Sequence, residues 1–384
     1  SIKPRDIKNI ISSKSNSSSP GPDGISYAIL KKLPCLHHIL ATLYNKLLTT
    51  PNPPKSWTQS RISLIHKKGD PATPSNFRMI ALASTFGKIF HQILSARTVD
   101  FMTKNNFIDK SIQKAFISKV NGTIEHNQLL QEVISHSRHN KKTVHITFFD
   151  LEDAFGSVSH ELIHHCLSRY KLPKVIQEYV SHLYKNLTGT VVTKHWNSNT
   201  FKFRRGIFQG DPWSPVIFLI VFNPLLEILT QEKQHGYDLN GIKILTTPFA
   251  DDFNLITTNK RTHQKVINNI EKWTLSMNLK LKPSKCKSFS ICSGKPTSIN
   301  FTLGDTSIDT LEKDSHKFLG STITFSGKTN ETFELIRDYL STRLSRIDNM
   351  LIRNEYKLKI YTKYLLPSSR FLLTVHDQIG RAHV

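Results

Sequence analysis

The sequence is poor in acidic side chains, in paired cysteine and in unbroken apolar stretches, and each shortage narrows what the protein can be. Asp and Glu number 29 against 52 Lys and Arg, a formal charge of +23 that runs along the whole chain. So basic a surface calls for a polyanionic partner, nucleic acid before membrane lipid. The four cysteines, Cys35, Cys166, Cys286 and Cys292, contain no Cys-x-x-Cys pair. That argues against a structural zinc site and reads as the reduced thiols of an intracellular protein. The longest apolar run, Pro215–Leu229, is interrupted by Asn223, Pro224 and Glu227, too short and too broken to span a bilayer, so no membrane partner is expected. Neither a signal peptide nor an initiator Met is visible, and both ends read as cut. The tail Ile379–Val384 has no periodicity and resembles a translated synthetic adapter, so 379–384 is set aside as non-native.

What remains is ample for folding. The 384 residues suffice for two or three domains, and 38% hydrophobic with 9% aromatic residues supply a core and exclude global disorder. Residues 1–24, with the run Ser12–Ser19, have linker composition. From Ile25 to about Thr50 an apolar spacing of three and four predicts a helix, ended by Pro51, Pro53 and Pro54. Ser60–Lys67 alternates as a strand, and helices are expected from Thr85 past Arg97 and over Glu125–His139. Thr143–Phe149 is β-branched and aromatic, a buried strand that stops at Asp150. Helices follow at Ser159–Arg169 and Pro173–Leu187, then a hairpin within Val191–Lys202. Ser214 is read as N-cap, with Pro215 first in an all-apolar, buried helix. A helix over His263–Met277, a strand over Lys287–Cys292 and shorter strands to Ile323 precede a basic helical region from Asn330 to Leu366.

Thr246–Thr257 carries the chemistry. Asp251 and Asp252 stand side by side between two short runs that read as strands of a hairpin. Adjacent anions repel, and a divalent cation removes the conflict; the bland alternative is an exposed acidic turn. Asp150, at the end of its own strand, supplies a third carboxylate. Three such groups from two strands suffice for two Mg²⁺ ions about 3.5–4 Å apart, the arrangement of in-line nucleotidyl transfer.

The co-linear order of segments from Pro20 to Leu366 resembles a reverse transcriptase, in particular the polymerase of non-LTR (LINE-like) retrotransposons. Ser19-Pro-Gly-Pro-Asp-Gly-Ile25 looks like the first motif of that family. Arg61–Asp70 with Asn76-Phe-Arg-Met-Ile-Ala-Leu82 resembles the fingers motif, and Gln113–Asn127 the next block. Phe149-Asp-Leu-Glu-Asp-Ala-Phe-Gly-Ser-Val158 is similar to motif A, Gly206-Ile-Phe-Gln-Gly-Asp-Pro-Trp-Ser-Pro215 to motif B and Phe249-Ala-Asp-Asp252 to motif C. Asn278–Lys285 resembles motif D and Phe318-Leu-Gly320 motif E. The chain departs from the usual pattern at Met79 (Pro), Asp153 (Lys), Gly156 (Asp), Trp213 (Leu), Phe249 (Tyr) and Lys282 (Asn), none of them a metal ligand.

The resemblance implies an α+β polymerase right hand: fingers and palm over 25–322, the palm a small antiparallel sheet, and a helical thumb over 323–378. It implies Asp150, Asp251 and Asp252 as metal ligands and catalytic carboxylates, with Lys285 the acid for the departing pyrophosphate. Lys67 and Arg78 would reach the triphosphate, as would the backbone N–H groups of Asp153 and Ala154. Gln209 and Gly210 would flank the nucleotide, and Phe155 would close on the sugar and reject a 2′-hydroxyl. The implied cofactor is a pair of Mg²⁺ ions, with Mn²⁺ as substitute. The implied partners are an RNA template, a DNA primer or target DNA, and dNTPs, in a ribonucleoprotein of nucleus and cytoplasm. A group II intron-type or other cellular reverse transcriptase, and an inactive copy that only binds nucleic acid, share these motifs. Two competing signals are weaker. His160-Glu-Leu-Ile-His164 has the spacing of a zinc site but no third ligand motif, and Ser326–Thr329 ends like a P-loop whose earlier Gly is Thr322.

Overall fold

The computed structural model describes residues 1–67, 69–117, 120–311, 315–323 and 329–368. They form two compact units, each assembled from separate stretches. The first comprises Ser1–Asp109, Glu152–Pro224 and Ser276–Leu279, and the second Lys110–Leu151, Leu225–Leu275 and the described residues from Lys280 onward. The units therefore interleave along the sequence. The tail 379–384 and residues 326–328 of the P-loop-like stretch lie outside the described residues.

The first unit is built on a four-stranded sheet in the order Phe77–Ala83, Gln59–His66, Thr188–Val191, Phe201–Lys202. The outer pairs are antiparallel and the central pair parallel. Residues 1–24 are not simply linker. Pro4–Ser13 is a helix that buries Ile7 and Ile11, with Pro4 at its start, where no N–H partner is needed, and Asp6 accepting the Lys3 N–H at 2.9 Å. The serine run that suggested a linker begins only as this helix ends. The helix expected over Ile25–Thr50 is two, Tyr27–Lys31 and Leu36–Leu47, because Pro34 removes a backbone donor between them.

The helix Ser214–Gln231 has the length and apolar content to cross a bilayer, more than the broken run suggested, but 72% of that window is buried inside the protein. It behaves as a core helix. Ser214 is its first residue rather than its cap, and its hydroxyl donates to the Phe208 carbonyl at 2.7 Å. Asp211 accepts the Trp213 N–H instead, at 2.8 Å.

In the second unit Val144–Phe149 is the central strand, buried at every position. It pairs antiparallel with Phe253–Thr257 on one side and Lys287–Cys292 on the other. Because side chains alternate, the strand divides two environments. Val144, Ile146 and Phe148 join Leu130, Val133, Phe289, Ile291 and Phe318 in an apolar core, each large side chain contributing about 1.5–3 kcal/mol on burial. The opposite face carries His145 and Thr147. There Thr147 Oγ1 lies 2.7 Å from His263 Nε2, Thr257 Oγ1 lies 2.8 Å from His263 Nδ1, and His145 Nδ1 lies 2.9 Å from Ser290 Oγ. After the strands His316–Phe318 and Ser321–Ile323, the chain is helical over Thr329–Asp348 and Asn354–Ile360 and continues through a π-helical stretch, Tyr361–Leu365, into helix up to residue 368.

Candidate active site

The three carboxylates of the second unit are brought together by strand register. Phe149 pairs with Phe253 as the last rung of the ladder, so Asp150 and Asp252 are the residues that leave the sheet at this end, and Phe149 and Phe253 stack at 4.8 Å between ring centroids. The hairpin is tight but only half regular. Phe253–Thr257 is a strand, whereas the preceding arm is held by single contacts. Leu245 accepts from Ile256 N–H at 2.6 Å, and Phe249 and Asp252 exchange backbone bonds of 2.8 and 3.2 Å. The Asn254 side chain accepts the Thr247 N–H at 2.9 Å. Ala250, first in the two-residue turn, has φ +58°, the left-handed side that suits hairpin twist and costs a residue with a Cβ about 1 kcal/mol or more.

Two residues that the sequence reading gave no role hold this strained turn. Gln113, 2% exposed, accepts the Ala250 N–H through Oε1 at 3.3 Å. His126 donates from Nε2 to the Pro248 carbonyl at 3.0 Å. Gln113 was visible only as a letter in a motif; nothing in its neighbourhood of sequence says that it reaches position 250.

The electrostatics fit a cation. Asp252 keeps contact with solvent, yet its carboxyl is pushed up to about 6, first by desolvation and then by the charges of Asp251 and Asp150. Asp150 Oδ2 is buried without a hydrogen-bond donor; the Lys285 ammonium lies 3.2 Å away, close enough for an ion pair but poorly aligned for a hydrogen bond. Motif D is also tied to Asp150 by backbone, since Lys282 N–H donates to the Asp150 carbonyl at 2.8 Å. Among the described residues no group of three or more His, Cys, Asp or Glu side chains stands ready to hold a metal ion, so Asp150, Asp251 and Asp252 are not a preformed ligand set; a hard cation would need water and substrate phosphate to complete its shell.

The remaining candidates lie in the first unit. Ile65 pairs with Arg78, and Lys67, two residues on, shares that face; both cations are exposed. The same strand continues to Ala81, whose N–H donates to the Gln209 carbonyl at 2.7 Å. Gly210 has φ +109°, and a Cβ there would stand 2.5 Å from the Ala81 carbonyl oxygen, so only glycine fits. The motif B loop is tied in turn to motif A: Ile207 N–H donates to the Phe155 carbonyl and Gly206 N–H to Val158, both at 2.7 Å. Phe155 is half-buried and stacks on Phe218 with centroids 4.7 Å apart. Asp153 opens the single helical turn Ala154–Ser157 with φ +45°. A Cβ on Gly156 would lie 2.0 Å from Asp153 Oδ2, so the unusual Asp153 fills the space that the unusual Gly156 leaves. Thus Arg78, Gln209, Gly210 and Phe155 follow one another along a hydrogen-bonded backbone path. His160 of the zinc-like spacing instead lies 3.3 Å from the Gly206 carbonyl, and its partner His164 is exposed.

A small antiparallel sheet bearing an acid at a strand end near an Asp-Asp turn is the arrangement of a polymerase-type palm, suited to divalent cations. The chain belongs to the reverse transcriptase (RNA-dependent DNA polymerase) family, whose profile matches residues 65–323. It is 27% identical over 90% of its length to the Pol polyprotein of retrotransposable element R2 of Nasonia vitripennis and 28% identical over 81% to that of R2DM of Drosophila melanogaster. It is 22% identical over 99% to the RNA-directed DNA polymerase of mobile element jockey of Drosophila melanogaster. These relatives agree with the non-LTR resemblance of the motifs. The chain spans 33% and 29% of the two R2 polyproteins. Among solved structures, apo telomerase from Candida tropicalis aligns over 76% of this chain and 51% of its own at 13% identity, with a TM-score of 0.48. Divalent metal use and nucleic-acid template binding are general to the family.

Proposed function

We propose that this chain is the RNA-directed DNA polymerase of a non-LTR retrotransposon, extending a primer 3′-hydroxyl with dNTPs on an RNA template inside a cellular ribonucleoprotein. The observation that carries the reading is that Asp150 and Asp252 leave the sheet at the same end, the charges of Asp150 and Asp251 both acting on Asp252, with Lys285 against Asp150, in a chain of this family. Asp150, Asp251 and Asp252 would hold two Mg²⁺ ions, which, when bound, acidify the attacking hydroxyl and offset charge on the leaving pyrophosphate. Asp251 and Asp150 are the principal ligands; Asp252, whose ionisation its neighbours oppose, completes the set once a cation offsets them.

The protein groups divide the remaining work. Lys67 and Arg78 receive the triphosphate, Arg78 through a planar fork matched to phosphate oxygens, and the N–H groups of Asp153 and Ala154 add donors to it. Gln209 and Gly210 flank the nucleotide, and Phe155, backed by Phe218, closes on the sugar. Lys285 protonates the departing pyrophosphate. The test is primer extension by the purified chain with matched RNA and DNA templates and either dNTPs or rNTPs. RNA-templated synthesis with dNTPs is expected, and dependence on rNTPs for synthesis would overturn the assignment.

A further inference from the structure

The motif B loop is held from behind by a buried hydrogen-bond chain that the reaction scheme leaves without a role. Tyr179, His91 and Asp211 come from the helices Lys174–Lys185 and Thr85–Lys104 and from the loop itself, and they are 1%, 3% and 8% exposed. The Tyr179 hydroxyl lies 2.8 Å from His91 Nε2, and His91 Nδ1 makes a short hydrogen bond to Asp211 Oδ2. Burial, with Asp211 and Tyr44 adding to it, pushes the Tyr179 phenol well above its ordinary value, so it keeps its proton. The Asp211 carboxylate can only accept, so His91 gives it the Nδ1 proton, and in the neutral imidazole Nε2 then accepts from the Tyr179 hydroxyl. The second Asp211 oxygen accepts the Trp213 N–H at 2.8 Å.

A polar chain this deep is a poor source of net stability, since well-packed apolar side chains of similar volume do as well. What it supplies is a single position for Asp211. The two preceding residues are fixed on their other side by the strand that carries Arg78, through the Ala81–Gln209 hydrogen bond and the close approach of Gly210 to Ala81. The loop is thus clamped at 209–210 by strand backbone and at 211 by His91.

We propose that His91 and Tyr179 are positioning residues for the incoming nucleotide: the Tyr179–His91–Asp211 chain sets where Gln209 and Gly210 stand, and so governs dNTP affinity rather than the chemical step. This rests on the reading that Gln209 and Gly210 flank the nucleotide. Two substitutions at one position separate the proposal from ordinary packing. His91→Asn keeps a donor near the place of Nδ1, facing Asp211, and drops the Tyr179 contact. His91→Gln keeps a polar group near the place of Nε2 and abandons Asp211.

Steady-state dNTP KM and kcat of the full 384-residue chain on a primed RNA template decide the matter, with Gln209→Ala as reference. His91→Gln is expected to raise the dNTP KM about 10- to 100-fold, the factor of one lost hydrogen bond to a charged group, with kcat little changed. His91→Asn, which keeps the Asp211 contact and loses only that of Tyr179, should raise KM by no more than about 2- to 3-fold with kcat unchanged. Tyr179→Phe, which keeps the ring, should raise KM by about 2- to 3-fold and serves if a His91 variant fails to fold. Equal effects of the two His91 variants, or a fall in kcat at unchanged KM, would overturn the proposal. If Gln209→Ala raises KM and neither His91→Gln nor Tyr179→Phe does, the proposal alone fails. If Gln209→Ala leaves KM unchanged, the underlying reading of the loop fails and takes the proposal with it.

Discussion

Phe155 shows how single residues specify this site. Its ring is held at 11° to that of Phe218, and its carbonyl is bound by Ile207, so it has little freedom to retreat from a nucleotide sugar. Replacing Phe155 with Val should admit ribonucleotides, narrowing dNTP-over-rNTP selectivity by roughly 10- to 100-fold, the scale of a pocket that loses bulk. Competition between dNTP and rNTP on one primed template measures it, and unchanged selectivity would remove the gate. At this scale the sequence was informative where chemistry is local. Asp150 follows from a hydrophobic strand that stops, and Asp251–Asp252 from two anions at a turn. It misled where a side chain serves a distant or unexpected partner. Ser214 has the composition of a cap but bonds Phe208, while Asp211 accepts the Trp213 N–H in its stead. Gln113 supports a turn 137 residues away.

The elements were legible to the extent that their periodicity follows from burial. Val144–Phe149 and Lys287–Cys292 lie where β-branched and aromatic runs put them, and the interruption at Pro34 follows from the missing donor. The polar face of the palm sheet was not legible, because Thr, Ser and His in a strand give no sign of which face they line. That face has a consequence for pH. Burial holds His145 down at about 4, assisted by Lys260, and His263 further below its ordinary value, assisted by His145. His126 and His316 in the same unit are also lowered to about 4, again chiefly by burial. Each is neutral in the folded protein and free to protonate when unfolded, so the stability it contributes is complete above about 6.5 and is lost as pH falls towards 4. A fully buried group lowered to about 4 contributes up to about 3 kcal/mol, and less where, as at His316, the ring is partly exposed. Asp252, raised to about 6, acts in the opposite sense between 3.8 and 6, but is one group against four. Denaturant midpoints should therefore fall steadily from pH 7 to pH 5, before ordinary carboxylates protonate; a flat profile over that range would contradict the buried-histidine account.

For the whole molecule, charge and topology dominate. A net charge of +23 on a chain whose late helices expose Arg337, Arg343, Arg346, Arg353 and Lys359 predicts binding of primer–template governed by counterion release. Affinity should drop by roughly 10³-fold or more between 50 and 200 mM salt, read by fluorescence anisotropy of a labelled RNA–DNA hybrid; a shallow salt dependence would mean that few phosphates are neutralised. The interleaving of the two units was hidden from a reading in chain order, because the central strand Val144–Phe149 finds partners more than a hundred residues later. That pairing also brings the end of the strand at Asp150 to the end of the sheet where Asp252 lies, on which the functional account depends. Primer extension by the wild-type chain and by Asp251→Asn, on an RNA template with Mg²⁺ and dNTPs, tests it most directly. The account predicts robust synthesis by the wild type and a loss on the order of 10²- to 10³-fold or more in the variant; equal synthesis by the two would contradict it.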